Sequence, residues 1–224
     1  MFKKLKISLK VLNRPNHLCS FLTSLEKDAN ILDVGCGNES VHNIKNVSKK
    51  FKYTGIDIHD YNLSKKNKSL IDKYIIVNKE LFAKSINKIK EKFNAVICSH
   101  NLEHCDNREE TLLAMINAVD NNGLIYLSFP CEESINFPNR KGTLNYYDDE
   151  THKGSPPNFE AILKILKKNN FSIRYSSKRY KPLIPWLMGL LFEPFSTLLK
   201  KTFTGTWEFY GFESIIWAKK MDKS

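Results

Sequence analysis

An α/β fold with a mainly parallel sheet is what this sequence predicts. Two observations carry that expectation. Short apolar runs bounded by turn residues recur along the chain, and segments with apolar residues at helical spacing alternate with them. The length of 224 residues suits one domain with a single sizeable core.

Asn30 to Val34 (NILDV) is the first run, and an unbroken apolar stretch ending at a glycine turn is how a buried parallel strand reads. Phe51 to Ile58 (FKYTGIDI) repeats the form, with Asp57 near its end. Tyr74 to Val77 is a shorter candidate; Asn94 to Cys98 (NAVIC) and Gly123 to Phe129 (GLIYLSF) are stronger. Between the last two, Leu112, Met115, Ile116 and Val119 fall on one face of a helix expected over Arg108 to Asp120. Asn121, Asn122 and Gly123 supply its stop. Phe159, Ile162, Leu163 and Leu166 repeat the helical spacing after Pro156 and Pro157, where a helix start is natural.

Two stretches break the rhythm. Residues 131–155 have no period and are rich in Asn, Asp, Gly and Tyr; a loop of that length in a compact domain is usually functional. Pro182 to Leu199 is strongly apolar, but Pro185, Glu193 and Pro194 interrupt it, so no membrane-spanning helix is expected.

The net charge of +11 admits steering toward nucleic acid, anionic lipid or a phosphorylated substrate. The lysines are spread along the whole chain, without an arginine-rich stripe and interleaved aromatics, which favours a generic basic surface over a nucleic-acid face. The five cysteines form no CxxC pair and are odd in number, so they suggest a reducing cytoplasm rather than a disulfide framework or zinc site. Met1 to Lys10 alternates Lys with apolar residues and does not read as a secretory signal.

Asp33-Val34-Gly35-Cys36-Gly37 follows the first strand and opens a turn where missing side chains let backbone approach a ligand. A dinucleotide fingerprint would place its third glycine at position 40, which is Ser40. Asp57 comes 20 residues after Gly37, at a strand end where a carboxylate can accept both hydroxyls of a ribose. In these features the chain resembles the class I S-adenosylmethionine-dependent methyltransferases. ILDVGCG (31–37) looks like their first motif, GIDI (55–58) their second, and FNAVICSHNLEH (93–104) their fourth strand and the helix start after it.

The resemblance implies a single domain over 1–224 with a Rossmann-like, doubly wound, mainly parallel seven-stranded sheet and an antiparallel C-terminal edge hairpin. Phe171 to Tyr180 and Phe212 to Ala218 would be that hairpin's strands. Residues 1–28 would form an N-terminal extension or helix, 131–155 an active-site loop, and 181–210 an apolar insert before the last strand. It also implies that Asp33, Gly35, Cys36 and Gly37 hold the methionine part of S-adenosylmethionine. Asp57 would hold the ribose, Ile58 would also contact the cofactor, and Ser99 and His100 would line it beyond the fourth strand. Where many relatives carry an aspartate for the adenine amino group, this chain has Asn78 and Lys79.

His100-Asn-Leu-Glu103-His104 also spells the H-x-x-E-H of inverted zinc proteases, a rival that the upstream glycine turn argues against. Methylases of the terminal ribose of small RNAs resemble it too, holding a divalent metal with an acid-x-x-Glu-His set and a distant histidine; here His100 replaces the acid. If a helix begins near Asn101, then His100, Glu103 and His104 share a side, and His152 could join them. The preferred reading assigns no metal: His104 or His152 acts as base for a hydroxyl acceptor, with Glu103 beside them and Tyr146, Tyr147 and Asp148 shaping the acceptor pocket. In the competing view the Glu-His pair only braces the fold.

The function expected is O-methylation of a small molecule or glycan precursor, such as a capsule sugar or phosphoramidate group, in the bacterial cytoplasm or at the inner face of the membrane. An RNA methyltransferase, a nicotinamide-cofactor enzyme and a noncatalytic cofactor-binding protein are the alternatives. The expected state is a monomer or homodimer, without nucleic acid. For the insert, a lid over the acceptor or an added pair of core helices ranks above a dimer surface, and membrane contact comes last.

Overall fold

The computed structural model describes residues 17–61 and 63–222. The part of the expected N-terminal extension before residue 17 lies outside them. Seven strands form one sheet: β1 (Asn30–Val34), β2 (Lys52–Asp57), β3 (Lys73–Ile76), β4 (Phe93–Ser99), β5 (Val119–Pro130), β6 (Phe171–Ser177) and β7 (Glu213–Lys220). Their spatial order is β3-β2-β1-β4-β5-β7-β6. The first five are mutually parallel, and β7 inserts antiparallel between β5 and β6. This is the doubly wound sheet with an antiparallel edge that the motifs imply.

The helices are α1 (His17–Leu22), α2 (Ser40–Val47), the single turn α3 (Lys65–Lys68), α4 (Phe82–Lys88), α5 (Arg108–Ala118), α6 (Phe159–Lys168), α7 (Leu183–Leu199) and α8 (Thr206–Tyr210). Successive strand residues face opposite sides, so the apolar runs feed two cores. Leu32, Val96, Leu127 and Ile216 pack with Ile86, Met115 and Leu166 of α4, α5 and α6. Ile31, Ala95, Tyr126 and Ile215 pack with Phe21 of α1 and Ile44 of α2.

Two expectations shift. The helix from Arg108 ends at Ala118, and Val119 begins β5, pairing with Phe93 across a register irregularity. A β-branched residue buried beside a strand is more favourable there than in a helical turn. No helix begins near Asn101: Leu102–His104 is one 3-10 turn, and α5 starts only after Asn107, whose side chain accepts from the Glu110 amide.

Chain direction places the site. Strand order reverses between β1 and β4, and in open α/β sheets ligands occupy the crevice outside the strand C-termini at such a point. The Gly35–Gly37 turn leaves β1 there, and the His100–His104 segment leaves β4 beside it.

Candidate active site

At the end of β1, Gly35 and Gly37 both take positive φ (+73° and +53°). A Cβ on Gly35 would sit 2.2 Å from the Asn101 side chain, so that glycine is needed for close packing as well as for its backbone angle. Among the described residues nothing lies within 4 Å of the corresponding position on Gly37. The Gly37 amide donates to Asp57 Oδ2 and the Ile58 amide to Oδ1, each at 2.7 Å, tying the β1 turn to the end of β2. Burial pushes the Asp57 pKa up, while these two amides pull it back.

A cleft of about 580 Å³ opens over this turn. Gly35, Gly37, Asp57, Ile58 and His100 line it, as expected for a cofactor side. Asp33, Cys36 and Ser99 do not. Asp33 is buried behind the turn, where Tyr53 Oη donates to it at 2.7 Å; burial, offset by hydrogen bonds from Ser40 and Tyr53, raises its pKa to about 6. Cys36 is buried and packs with Tyr53 in the core, and Ser99 shares a hydrogen bond with Ser128 inside the sheet. Asn78 is exposed and caps the turn that follows, accepting from the Glu80 amide, whereas Lys79, Glu80, Phe82 and Ala83 reach the cleft. Neither Glu80 nor Asn101 stands out from the sequence, because no spacing rule points to either.

His100 sits at positive φ (+50°) between two carboxylates. Its Nδ1 is 3.0 Å from Glu103 Oε1 and its Nε2 3.1 Å from Glu213 Oε1. Burial alone would lower its pKa, but the hydrogen bonds and charges of the two glutamates override this and hold it at about 10. It is thus an imidazolium near neutral pH, clamping β4 to the start of β7, with neither ring nitrogen free for a metal. That removes His100 from the four-residue metal set and the zinc-protease reading with it.

His104 and His152 are different. Thr151 Oγ1 donates its one hydrogen to Asp149 (2.6 Å), so it accepts from His104 Nδ1 at 2.9 Å. His152 Nδ1 contacts the Tyr146 carbonyl, which can only accept. Both rings therefore donate from Nδ1, while their centroids lie 4.9 Å apart and His152 Nε2 lies 3.9 Å from Asp149 Oδ2. Glu103 is fully buried, and its Oε2 has no hydrogen-bond partner among the described residues. One ligand atom from each of Glu103, His104 and His152 lies within 4.8 Å of the others, a fit for a divalent ion.

A side chamber of about 120 Å³ is lined by His152, His104, Glu103, Thr143, Asp149 and Trp207, among others. His104 and His100 wall both spaces. Of the residues expected to shape the acceptor pocket, none lines either. Tyr146 is fully buried, its hydroxyl accepting from Arg108 at 2.9 Å and donating to the Lys153 carbonyl at 3.1 Å. Tyr147 is exposed, and Asp148 accepts from the amides of Arg140, Leu144 and Asn145 to close the loop on itself. These residues build the loop, and Thr143, Asp149 and Trp207 line the side chamber.

A profile of the family described as "Methyltransferase domain" matches residues 11–176. No curated protein matches the chain. Among solved structures, a methyltransferase of Haloferax volcanii described as putative, in complex with the Trm112 methyltransferase activator, is similar at TM-score 0.62 and 10% identity; the match covers 90% of this chain and 88% of that one. The magnesium protoporphyrin IX methyltransferase of Synechocystis PCC 6803, solved with bound S-adenosylmethionine, is similar at TM-score 0.54 and 15% identity, covering 91% and 76%. An S-adenosylmethionine-dependent methyltransferase of Archaeoglobus fulgidus is similar at TM-score 0.50 and 19% identity, covering 85% and 86%. The chain belongs to the methyltransferase-domain family and is a class I S-adenosylmethionine-dependent methyltransferase.

Proposed function

We propose that this enzyme moves the methyl group to a hydroxyl oxygen of a small molecule or glycan precursor, such as a surface-polysaccharide sugar or phosphoramidate group. One observation carries the reading: His104 walls the cofactor cleft and also faces His152 in the side chamber. A methyl donor lying along Gly35, Gly37 and Asp57 would thus point toward the His104 imidazole. Asp57 would accept from the ribose hydroxyls with the lone pairs its two amides leave free. Phe82 and Ala83 would offer an apolar wall to the adenine, with exposed Glu80 the carboxylate near its amino group.

Transfer from a sulfonium is an in-line displacement, so holding donor and acceptor in line supplies much of the rate. An alcohol must also lose its proton, and an imidazole held at Nδ1 would be placed to take it on Nε2 as the oxygen–carbon bond forms. His104 would take the proton, and His152, braced by the Tyr146 carbonyl, would orient the hydroxyl. The unpartnered Glu103 oxygen favours a second version of the same site, in which Glu103, His104 and His152 hold a divalent ion. Such an ion would acidify the bound hydroxyl.

Transfer of labelled methyl to a panel of sugars, nucleotide sugars and phosphoramidates, against amines and RNA, tests the acceptor class. Methylation of amines or RNA alone would end the hydroxyl reading. Loss of activity in chelator with recovery on added divalent ion selects the metal version; a chelator-resistant rate that rises through neutral pH selects the lone base.

A further inference from the structure

Helix α7 is built inside out. Its inward line, Pro185, Gly189, Glu193 and Ser196, has the spacing of one helical face and consists of small or polar residues. Its outward face carries Leu183, Ile184, Leu187, Leu191, Phe195 and Leu198 among ten large apolar side chains left exposed, Leu191 at 72% and Leu198 at 79%. A helix meeting water on its outer side shows the reverse arrangement.

The one charge on the helix does not interrupt that face. Glu193 points inward and receives Arg140 on both oxygens, at 2.9 and 2.7 Å, while Tyr210 Oη donates to it at 2.6 Å. Arg140 also reaches Ser196 and Thr197, and a Cβ on Gly189 would overlap the Gly205 carbonyl. The helix is therefore bolted to the 131–155 loop and to α8, so its apolar face is held outward by buried polar contacts. A merely loose segment would not be.

Charge says what covers it. Exposed Lys181 precedes the helix; Lys200 and Lys201 follow it. The Lys141 amide binds the Lys200 carbonyl, bringing a third exposed lysine to that end. Lys141, Lys200 and Lys201 have no ion pair among the described residues. A continuous apolar face rimmed by unpaired lysines fits a bilayer surface bearing anionic headgroups: the leucines enter the acyl boundary and the amines meet phosphates. A second copy would bring like-charged rims together. No helix among the described residues is long and apolar enough to cross a membrane, so the contact lies in the interface plane.

We infer that α7 docks this enzyme on an anionic membrane surface. Flotation of the full chain with phosphatidylglycerol-containing vesicles and with pure phosphatidylcholine vesicles tests this. Binding should be strong to the first, weak to the second, and reduced by high salt. Leu191→Gln with Leu198→Gln should weaken it by about tenfold per leucine. Lys200→Glu with Lys201→Glu should abolish the preference for anionic lipid. Neither pair touches the cofactor cleft, so S-adenosylhomocysteine binding, unchanged, certifies the fold. The inference is overturned if the chain does not float, if the leucine pair floats like wild type, or if neutral vesicles bind equally. It is equally overturned if light scattering shows a dimer that the leucine pair splits, or cross-linking shows residues 1–16 seated on the face.

Discussion

At the cofactor end of the cleft the β1 and β2 turns are joined through backbone: two glycines in left-handed conformations, and two amides shared by one aspartate. At the histidine end every working group is a side chain brought from elsewhere, His104 from beyond β4, Thr151 and His152 from the long loop, and Trp207 from the insert. The first end needs only a turn geometry, which a short motif encodes. The second needs three segments to converge, and no local pattern records that. The cofactor end should therefore fail by loss of binding, and the histidine end by loss of rate.

The largest expected effect is at the histidine end. His104→Gln should lower kcat by about 10²–10⁴-fold, the usual worth of a positioned base, with S-adenosylhomocysteine affinity retained. His152→Gln should cost less unless the site holds a metal, in which case the two losses converge. Isothermal calorimetry beside methyl-transfer rates separates these outcomes. Full turnover in both variants would leave positioning alone to explain the rate.

The clamp between the two ends comes next. The folded pKa of His100, about 10, lies above its unfolded value, so the stability it contributes is complete below about pH 6.5 and is lost as pH rises toward 10. Urea unfolding across that window should show a fall on the order of 2–4 kcal/mol, less than the full shift because the side chain is 26% exposed. His100→Gln should flatten the fall, and an unchanged pH profile in that variant would remove the clamp.

Asp57→Ala should weaken S-adenosylhomocysteine binding by about 1.5–3 kcal/mol, because a charged acceptor is lost and the Gly37 amide is left unpaired. Unchanged affinity would take Asp57 out of the site. Smallest is Gly37→Ala, which meets no neighbour and should cost only the left-handed backbone penalty, about 1–2 kcal/mol of stability. Gly35→Ala, which must also displace Asn101, should cost visibly more; equal costs would erase the distinction drawn between the two glycines.

Much of the sheet was legible because buried parallel strands carry their signal in consecutive residues. NILDV and NAVIC read as strands without reference to anything else, and both lie in strands of the structure. The start of β5 was not, since Val119 continues the helical spacing of α5 and only its pairing with Phe93 moves it into the sheet. In the loop, Tyr146 and Asp148 looked like pocket residues because polar aromatic and acidic side chains in a long loop resemble ligand contacts. Their hydrogen bonds go instead to the loop's own backbone and to Arg108.

The amino-acid sequence by itself determined the α/β class, the glycine turn after β1, the acid at the end of β2 and the apolar character of residues 182–199. Each is a property of neighbours along the chain: periodicity, a missing Cβ, a strand-end carboxylate, composition. Only the tertiary structure decided that His100 is held at both ring nitrogens while His104 is held at Nδ1, since that depends on Glu213 and Thr151, far away in sequence. It also decided that Glu193 turns inward. Along the chain, that glutamate interrupts an apolar stretch; folded, it meets Arg140, 53 positions earlier, and leaves the outer face of the helix without a charge. A carboxylate's direction is set by the partner that repays its desolvation, and that partner is chosen by the fold.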